Sequence, residues 1–210
     1  MKRIFLSVLF ICTFLSHLTA QTGKESELIK QNYIRSVIGQ DESKQAFLQL
    51  LSKIPPEKEV SDQNVIELQQ LYPIRREEIH RLISTIRGDG SWPDINYADT
   101  KRSGWEPKQH TERILKLTKY YAREKENASA QEISAVTSII HQAMNYWFTG
   151  KLVCKNWWYN QIGIPRTLGP AFLLFEAEMT EKEKQEAVRV MEQSHFGMTG
   201  QNKVWLAGNV

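Results

Sequence analysis

Cysteine is almost missing from these 210 residues: Cys12 and Cys154 are the only two. A disulfide framework is therefore excluded, and no cysteine and histidine cluster has zinc spacing. An excess of one charge is missing too. The chain carries 27 basic and 24 acidic side chains, a formal +3, which is no footprint for nucleic acid. Apolar runs long enough to span a membrane are lacking throughout, since the single run, Ile4 to about Leu15, is too short. No segment alternates apolar and polar residues as a half-buried strand does. Low-complexity tracts and long linkers are absent as well, so the bulk of the chain reads as one domain with a sizeable core.

What is present begins with MKRIFLSVLFICTFLSHLTAQTGKES. Lys2 and Arg3 precede the apolar run, and Ala20 closes a more polar stretch. That order predicts a secretory signal peptide over residues 1–20 and export to the periplasm or the extracellular space. Cys12 follows bulky Ile11, which argues against a lipoprotein site. Cleavage removes two positive charges and no acid, so the formal charge falls from +3 to +1. Cys154 is then the one thiol left, and it reads as a small buried residue rather than a nucleophile.

The mature region, 21–210, is patterned for helices nearly throughout. Leu28, Ile29, Tyr33, Ile34, Val37 and Ile38 recur at helical spacing before Gly39. Further stripes run through Ala46 to Ile54, stopped by Pro55-Pro56, and from Asp62 to Tyr72. Another holds Ile79, Leu82, Ile83 and Ile86. The period breaks over RGDGSWPDINYADTKRSGWEP, Arg87 to Pro107, a long turn-rich loop of the kind that usually carries function. Helices resume near Lys108, and the cleanest stripe follows, Ile133 to Trp147. Leu168 to Phe175 form the next. Thr180 and Glu183 make a capping box for a last helix ending near Gln193. The fold class expected is all-α, helical hairpins joined by short turns.

Function is sought in three segments. KNWWYNQIGIPRTLGP, Lys155 to Pro170, sets Trp157 beside Trp158 among amides. In a turning segment one indole can anchor while the other is displayed to the apolar face of a sugar. Asn156, Asn160 and Gln161 would then bond its hydroxyls. Burial of both rings is the alternative, since tryptophan is highly buried on average. Arg166 follows Pro165 where a helix start is expected, and could receive an acidic group there with the dipole's help. A buried arginine tying loop carbonyls is the other reading. The long loop repeats the same elements in Trp92, Asn96, Tyr97 and Trp105. His110 heads a helix as a structural hydrogen bonder, and His141 reads as a core or border histidine. Asp94, Asp99 and Glu106 are candidate acids. Asn127 and Ser129 fit a glycosylation sequon. The charged run Thr180 to Arg189 reads as a solvated helix face. Finally, TGQNKVW presents Asn202 after a Thr-Gly turn.

Together DGSWPDINY, NWWYNQIGIPRTLGPAFLLF and TGQNKVW resemble segments of polysaccharide lyase family eight, which includes hyaluronate, chondroitin AC and xanthan lyases. The resemblance covers most of the mature chain. It implies an incomplete α/α toroid, of which this chain holds the front part, with large β-sandwich domains following in the family's longer enzymes. It implies β-elimination on a uronic acid, with no metal or other cofactor. Asn202 would donate to the carboxylate, so that charge can spread when the C5 proton leaves. Trp157 and Trp158 would stack the sugar chain; the reading of the long loop adds Trp92 and Trp105 as further substrate-binding residues. The family's catalytic histidine and tyrosine lie downstream of the asparagine, where this chain has only KVWLAGNV. The expectation is a monomeric, truncated lyase that binds acidic polysaccharide and does not cut it alone. Two other readings stay open: a non-catalytic helical glycan-binding module, and a toroid glycoside hydrolase using Asp94 and Glu106 as its two acids.

Overall fold

The computed structural model describes residues 23–38, 76–194, 200 and 202. The expected signal segment, the stripes at 46–54 and 62–72, and the apolar residues after Asn202 lie outside the described residues. The chain divides into two compact units, Met1–Leu50 and Leu51–Val210. In the first unit, helix α1 spans 23–38, where the apolar spacing predicts it. Leu28, Ile29 and Tyr33 are exposed on it.

The second unit holds the core and all the segments of interest. Its helices are α2 (Arg76–Thr85), α3 (Lys108–Glu124), α4 (Ala130–Gly150), α5 (Ile164–Phe175) and α6 (Glu181–Met191). No strand occurs among the described residues. Helix α3 lies between α4 and α5, and α6 closes against α5 and α4. The stripes read from the sequence face inward: Ile114 and Leu117 from α3, Val136, Ile140, Ala143 and Met144 from α4, Leu168, Ala171 and Phe175 from α5 are all fully buried. Each large apolar side chain so buried contributes about 1.5–3 kcal/mol.

The ends of these helices follow from local chemistry. Ser129 caps α4 by accepting the Glu132 N–H at 3.2 Å. This occupies the hydroxyl of the sequon. Tyr120 and Arg76 both bond the Glu132 carboxylate, which ties α2 to the start of α4. Thr180 and Glu183 form the reciprocal capping box at α6.

Glu183 departs from the solvated helix face expected of its segment. It is 2% exposed. One carboxylate oxygen accepts the Thr180 N–H and hydroxyl at 2.8 and 2.9 Å, and the other accepts His141 Nδ1–H at 2.8 Å and the Asn145 amide at 3.3 Å. Burial alone would raise this carboxyl, but the bonds from His141 and Thr180 outweigh it and hold it below the ordinary value. His141 is thus the satisfied border histidine expected, its ring edge also on Phe175 at 5.0 Å. Glu183→Gln turns an amide N–H₂ toward one pair of donors. It is expected to cost about 2 kcal/mol of unfolding free energy, read from the shift of the urea midpoint; a midpoint unchanged from wild type would refute the role.

Candidate functional site

The helix that carries the tryptophan pair starts earlier than Pro165. Trp157 and Trp158 are already helical, a π-helical turn covers Tyr159–Gly163, and α5 continues from Ile164. Asn156 makes this early start possible. Its side-chain oxygen accepts the Trp158 N–H at 3.1 Å, as an N-cap does. The π turn lets the chain pass Pro165. That residue cannot donate to the Gln161 carbonyl four positions back, and Ser194 Oγ bonds that carbonyl instead at 2.7 Å. Arg166 therefore lies within a continuous helix and is exposed. The expectation that it heads a helix is corrected, and the dipole argument for an acid at that point goes with it.

The amides are placed differently from expectation as well. Asn160 pairs with the backbone of Cys154: its oxygen accepts the Cys154 N–H at 2.9 Å and its nitrogen donates to the Cys154 carbonyl at 2.8 Å. Asn156 donates to the Arg102 carbonyl at 3.0 Å. Both side chains are thus committed to the protein, and their expected role toward sugar hydroxyls is corrected to one of holding the segment in place. Cys154 is buried, with its thiol 3.6 Å from the Lys101 carbonyl and accepting the Asn156 N–H at 3.4 Å. Tyr159 adds a further tie, its hydroxyl accepting the Gly104 N–H at 3.1 Å. Gln161 is half-buried.

Of the four tryptophans singled out, one is displayed. Trp157 is 42% exposed. Trp158 is half-buried and packs on Gly163, where an added Cβ would come within 2.8 Å of its ring. Trp92 and Trp105 are 0% and 3% exposed, so neither presents a face to a ligand, and the stacking role expected for them is corrected. Their indole N–H groups explain the burial. Trp92 Nε1 donates to the Leu82 carbonyl and Trp105 Nε1 to the Asp99 carbonyl, both at 3.0 Å. These bonds turn two aromatic loop residues into anchors that fasten the long loop to the core.

The acids of that loop are its internal staples. Asp94 pairs with Arg113 through two bonds of 2.7 Å, and Arg113 in turn lies over the Trp92 ring at 5.3 Å. Hydrogen bonding to Arg113 holds the Asp94 carboxyl below its ordinary value. Asp99 accepts the N–H groups of Lys101 and Glu106 at 3.0 and 2.9 Å, and these lower its carboxyl likewise. Glu106 accepts the Asn96 N–H at 3.1 Å. Glu106 also lies 3.4 Å from the Lys101 ammonium, so both carboxylates named for a hydrolase have partners within the protein.

His110 is wired into the same frame. Its Nε2 lies 2.9 Å from the Ala143 carbonyl, which can only accept, so Nε2 carries the hydrogen. Nδ1 then accepts from the Tyr97 hydroxyl at 2.8 Å, and that hydroxyl accepts the Trp92 N–H at 3.0 Å. Burial pushes the His110 imidazolium down to about 4 and the Tyr97 phenol up to about 12. Both are structural, as expected for His110.

Asn202 is half-buried and helical, two residues after Gly200, whose φ is +66°. Its flanking residues lie outside the described residues. Among the described residues, no three histidine, cysteine, aspartate or glutamate side chains gather as a metal site, and no helix is long and apolar enough to cross a membrane. Sequence reasoning missed the clasp between loop residues 101–105 and residues 154–160. Its only trace in the sequence is the density of amides around the tryptophan pair.

The described residues of the second unit form an all-helical frame in which a long stapled loop is clasped to the segment that displays Trp157. The chain belongs to polysaccharide lyase family 8: the model of that family's N-terminal alpha-helical domain matches residues 56–205. Chondroitinase-AC of Pedobacter heparinus is 28% identical over 92 residues, which are 44% of this chain and 13% of that enzyme. A solved structure of chondroitinase AC lyase, from work on its active site and oligosaccharide complexes, matches with a TM-score of 0.55 at 24% identity. That match covers 66% of this chain and 21% of the solved one, and it speaks for the fold.

Proposed function

We propose that this chain is the substrate-positioning part of an exported lyase that cleaves a uronic-acid polysaccharide by β-elimination. In that reaction a base takes the C5 proton, the C4–O bond breaks, and a C4–C5 double bond forms as the leaving oxygen is protonated. Trp157 stacks a sugar ring, and Asn202 donates to the uronate carboxylate as negative charge spreads into it. The observation that carries the reading is the exposed Trp157 ring, mounted on a segment whose two asparagines, thiol and tyrosine are spent on fixing it. An indole 42% exposed at the end of so constrained a segment offers a fixed flat face on which a sugar ring can stack.

The 210 residues on their own contain no histidine or tyrosine after Asn202. General acid–base groups commonly contribute about two to four powers of ten in rate. Binding without turnover is therefore expected of this polypeptide by itself. Incubation with chondroitin, hyaluronan or xanthan should yield no unsaturated product by ultraviolet absorbance. Tryptophan fluorescence titration should show weak binding, with a Kd of about a millimolar. Trp157→Ala should abolish that signal while leaving thermal stability unchanged. Trp158→Ala should instead destabilise the fold by about 2 kcal/mol, since its ring fills the space over Gly163. Clear turnover lost in Asn202→Ala would overturn the division of labour; unchanged binding in Trp157→Ala would overturn the site.

A further inference from the structure

We propose that Ser194 is a positioning residue for Trp157: by holding the Gln161 carbonyl it fixes the π turn that sets the direction in which this indole is displayed. The proposal rests on the reading of Trp157 as a sugar platform. Ser194 lies outside the segments read for function, 33 positions beyond the carbonyl it holds.

The π turn departs from α register directly behind the tryptophan pair. Trp157 and Trp158 are helical, Tyr159–Gly163 are wound wider, and the Ile164 N–H closes on the Tyr159 carbonyl five positions back. Such a turn carries one residue more than an α turn over the same stretch. Its loss would rotate everything before it by about 100° relative to α5. The face that Trp157 shows therefore depends on this one turn. Two contacts hold it from within. Trp158 lies over Gly163, where an added Cβ would come 2.8 Å from the ring. Asn156 caps the helical entry by accepting the Trp158 N–H at 3.1 Å.

The hold from outside comes from the end of α6. There the Gln193 N–H closes on the Val190 carbonyl at 3.3 Å and the Ser194 N–H on the Met191 carbonyl at 3.0 Å. Met191 packs over Gly169 of α5, where an added Cβ would lie 3.1 Å from its methyl carbon. Helix α6 is thus seated on α5, and it carries Ser194 to the π turn on a fixed arm. The hydroxyl donates to the Gln161 carbonyl, in the middle of the turn, at 2.7 Å. Pro165 has no N–H to offer that oxygen. Without the hydroxyl the turn loses the bond that fastens it to α6, and the Trp157 ring samples more than one direction.

The test places fluorotryptophan in the full chain and reads the fluorine NMR signals of its six tryptophans. Signals are assigned by their absence in Trp157→Phe, Trp92→Phe and Trp105→Phe. Ser194→Ala is expected to shift or broaden the Trp157 signal and to leave those of the buried Trp92 and Trp105 in place. A general loss of stability would not do this, because the spectra report the folded state. Ser194→Thr keeps the hydroxyl and should restore the wild-type signal. Binding of a chondroitin hexasaccharide, followed on the Trp157 signal, should weaken roughly fivefold in Ser194→Ala, as loss of one neutral hydrogen bond allows. An unmoved Trp157 signal in Ser194→Ala, or a shift that Ser194→Thr does not reverse, would overturn the positioning role and leave the platform standing. A signal that moves with Ser194 but not with added hexasaccharide would support the tie to α6 and overturn the platform.

Discussion

His110→Gln is expected to lower the unfolding free energy by about 4 kcal/mol at neutral pH, within the range for losing a large buried side chain and a buried polar contact together. The imidazole is fully buried. It lies against Trp92 at 4.9 Å, Tyr146 at 5.4 Å and Trp147 at 5.8 Å. It also completes the chain of bonds from the Trp92 N–H through Tyr97 to the Ala143 carbonyl. Glutamine can replace one of its two polar contacts, leaving the Tyr97 hydroxyl without its acceptor, and it fills less of the aromatic box. Because Trp92 and Tyr97 start the long loop, the variant should also speed proteolysis between residues 87 and 107.

The same residue sets an acid dependence. Burial holds its pKa at about 4, against 6.5 for an ordinary histidine. The unfolded chain therefore binds a proton that the native protein refuses between those values. Its contribution is fully present above about pH 6.5 and lost as pH falls toward 4, a change of about 3 kcal/mol across that gap. Urea unfolding from about pH 7 down to 4.5 should show stability falling in the wild type and nearly level in His110→Gln. The carboxylates held low, Asp94, Asp99 and Glu183, give way only below their ordinary values, so the upper part of the window isolates the histidine. Parallel slopes in the two proteins would refute the assignment.

Gly90→Ala is expected to be equally damaging, about 3–5 kcal/mol from the sum of backbone strain and overpacking. Gly90 has φ +90°, and a Cβ there would lie 2.3 Å from the Gln142 carbonyl oxygen and 2.8 Å from its carbon. The obstacle is helix backbone, which cannot swing aside as a side chain can. The turn from Arg87 to Ser91, closed at 2.8 Å and stapled by Asp89, must lift from α4. It would take Trp92 with it and expose the aromatic box around His110. Gly104→Ala is the control: it too has positive φ, at +64°, but its Cβ meets nothing within 4 Å. It should cost only about 1 kcal/mol. Equal midpoints for the two variants in urea would show that the close approach to α4 carries no weight.

Much of this protein was legible in one dimension. Helical period, proline and glycine stops, and the Thr180 and Glu183 box predict the described helices of the second unit, because apolar spacing and capping act over three or four residues. The segments that place the chain in its family were legible for the same reason, being short and dense in special residues. His110 and Cys154 also read correctly, since burial is the ordinary state of such residues in a helical setting.

Tertiary structure alone decided which polar and aromatic groups are free to work. Trp92 and Trp157 look alike in sequence, but one indole N–H finds the Leu82 carbonyl inside the core and the other ring stays at the surface. Asn156 and Asn160 look like sugar ligands until the turn at Cys154 gives them backbone partners. Arg166 looks like a helix start until a distant serine, Ser194, takes the carbonyl that Pro165 leaves open. Glu183 sits in a run of charges, yet His141 from α4 draws it inward. In each case the deciding partner lies elsewhere in the chain, and a hydrogen-bonding group cannot reveal from its own neighbours whether it is already satisfied. The local pattern determines helices; packing determines which side chains remain for a ligand.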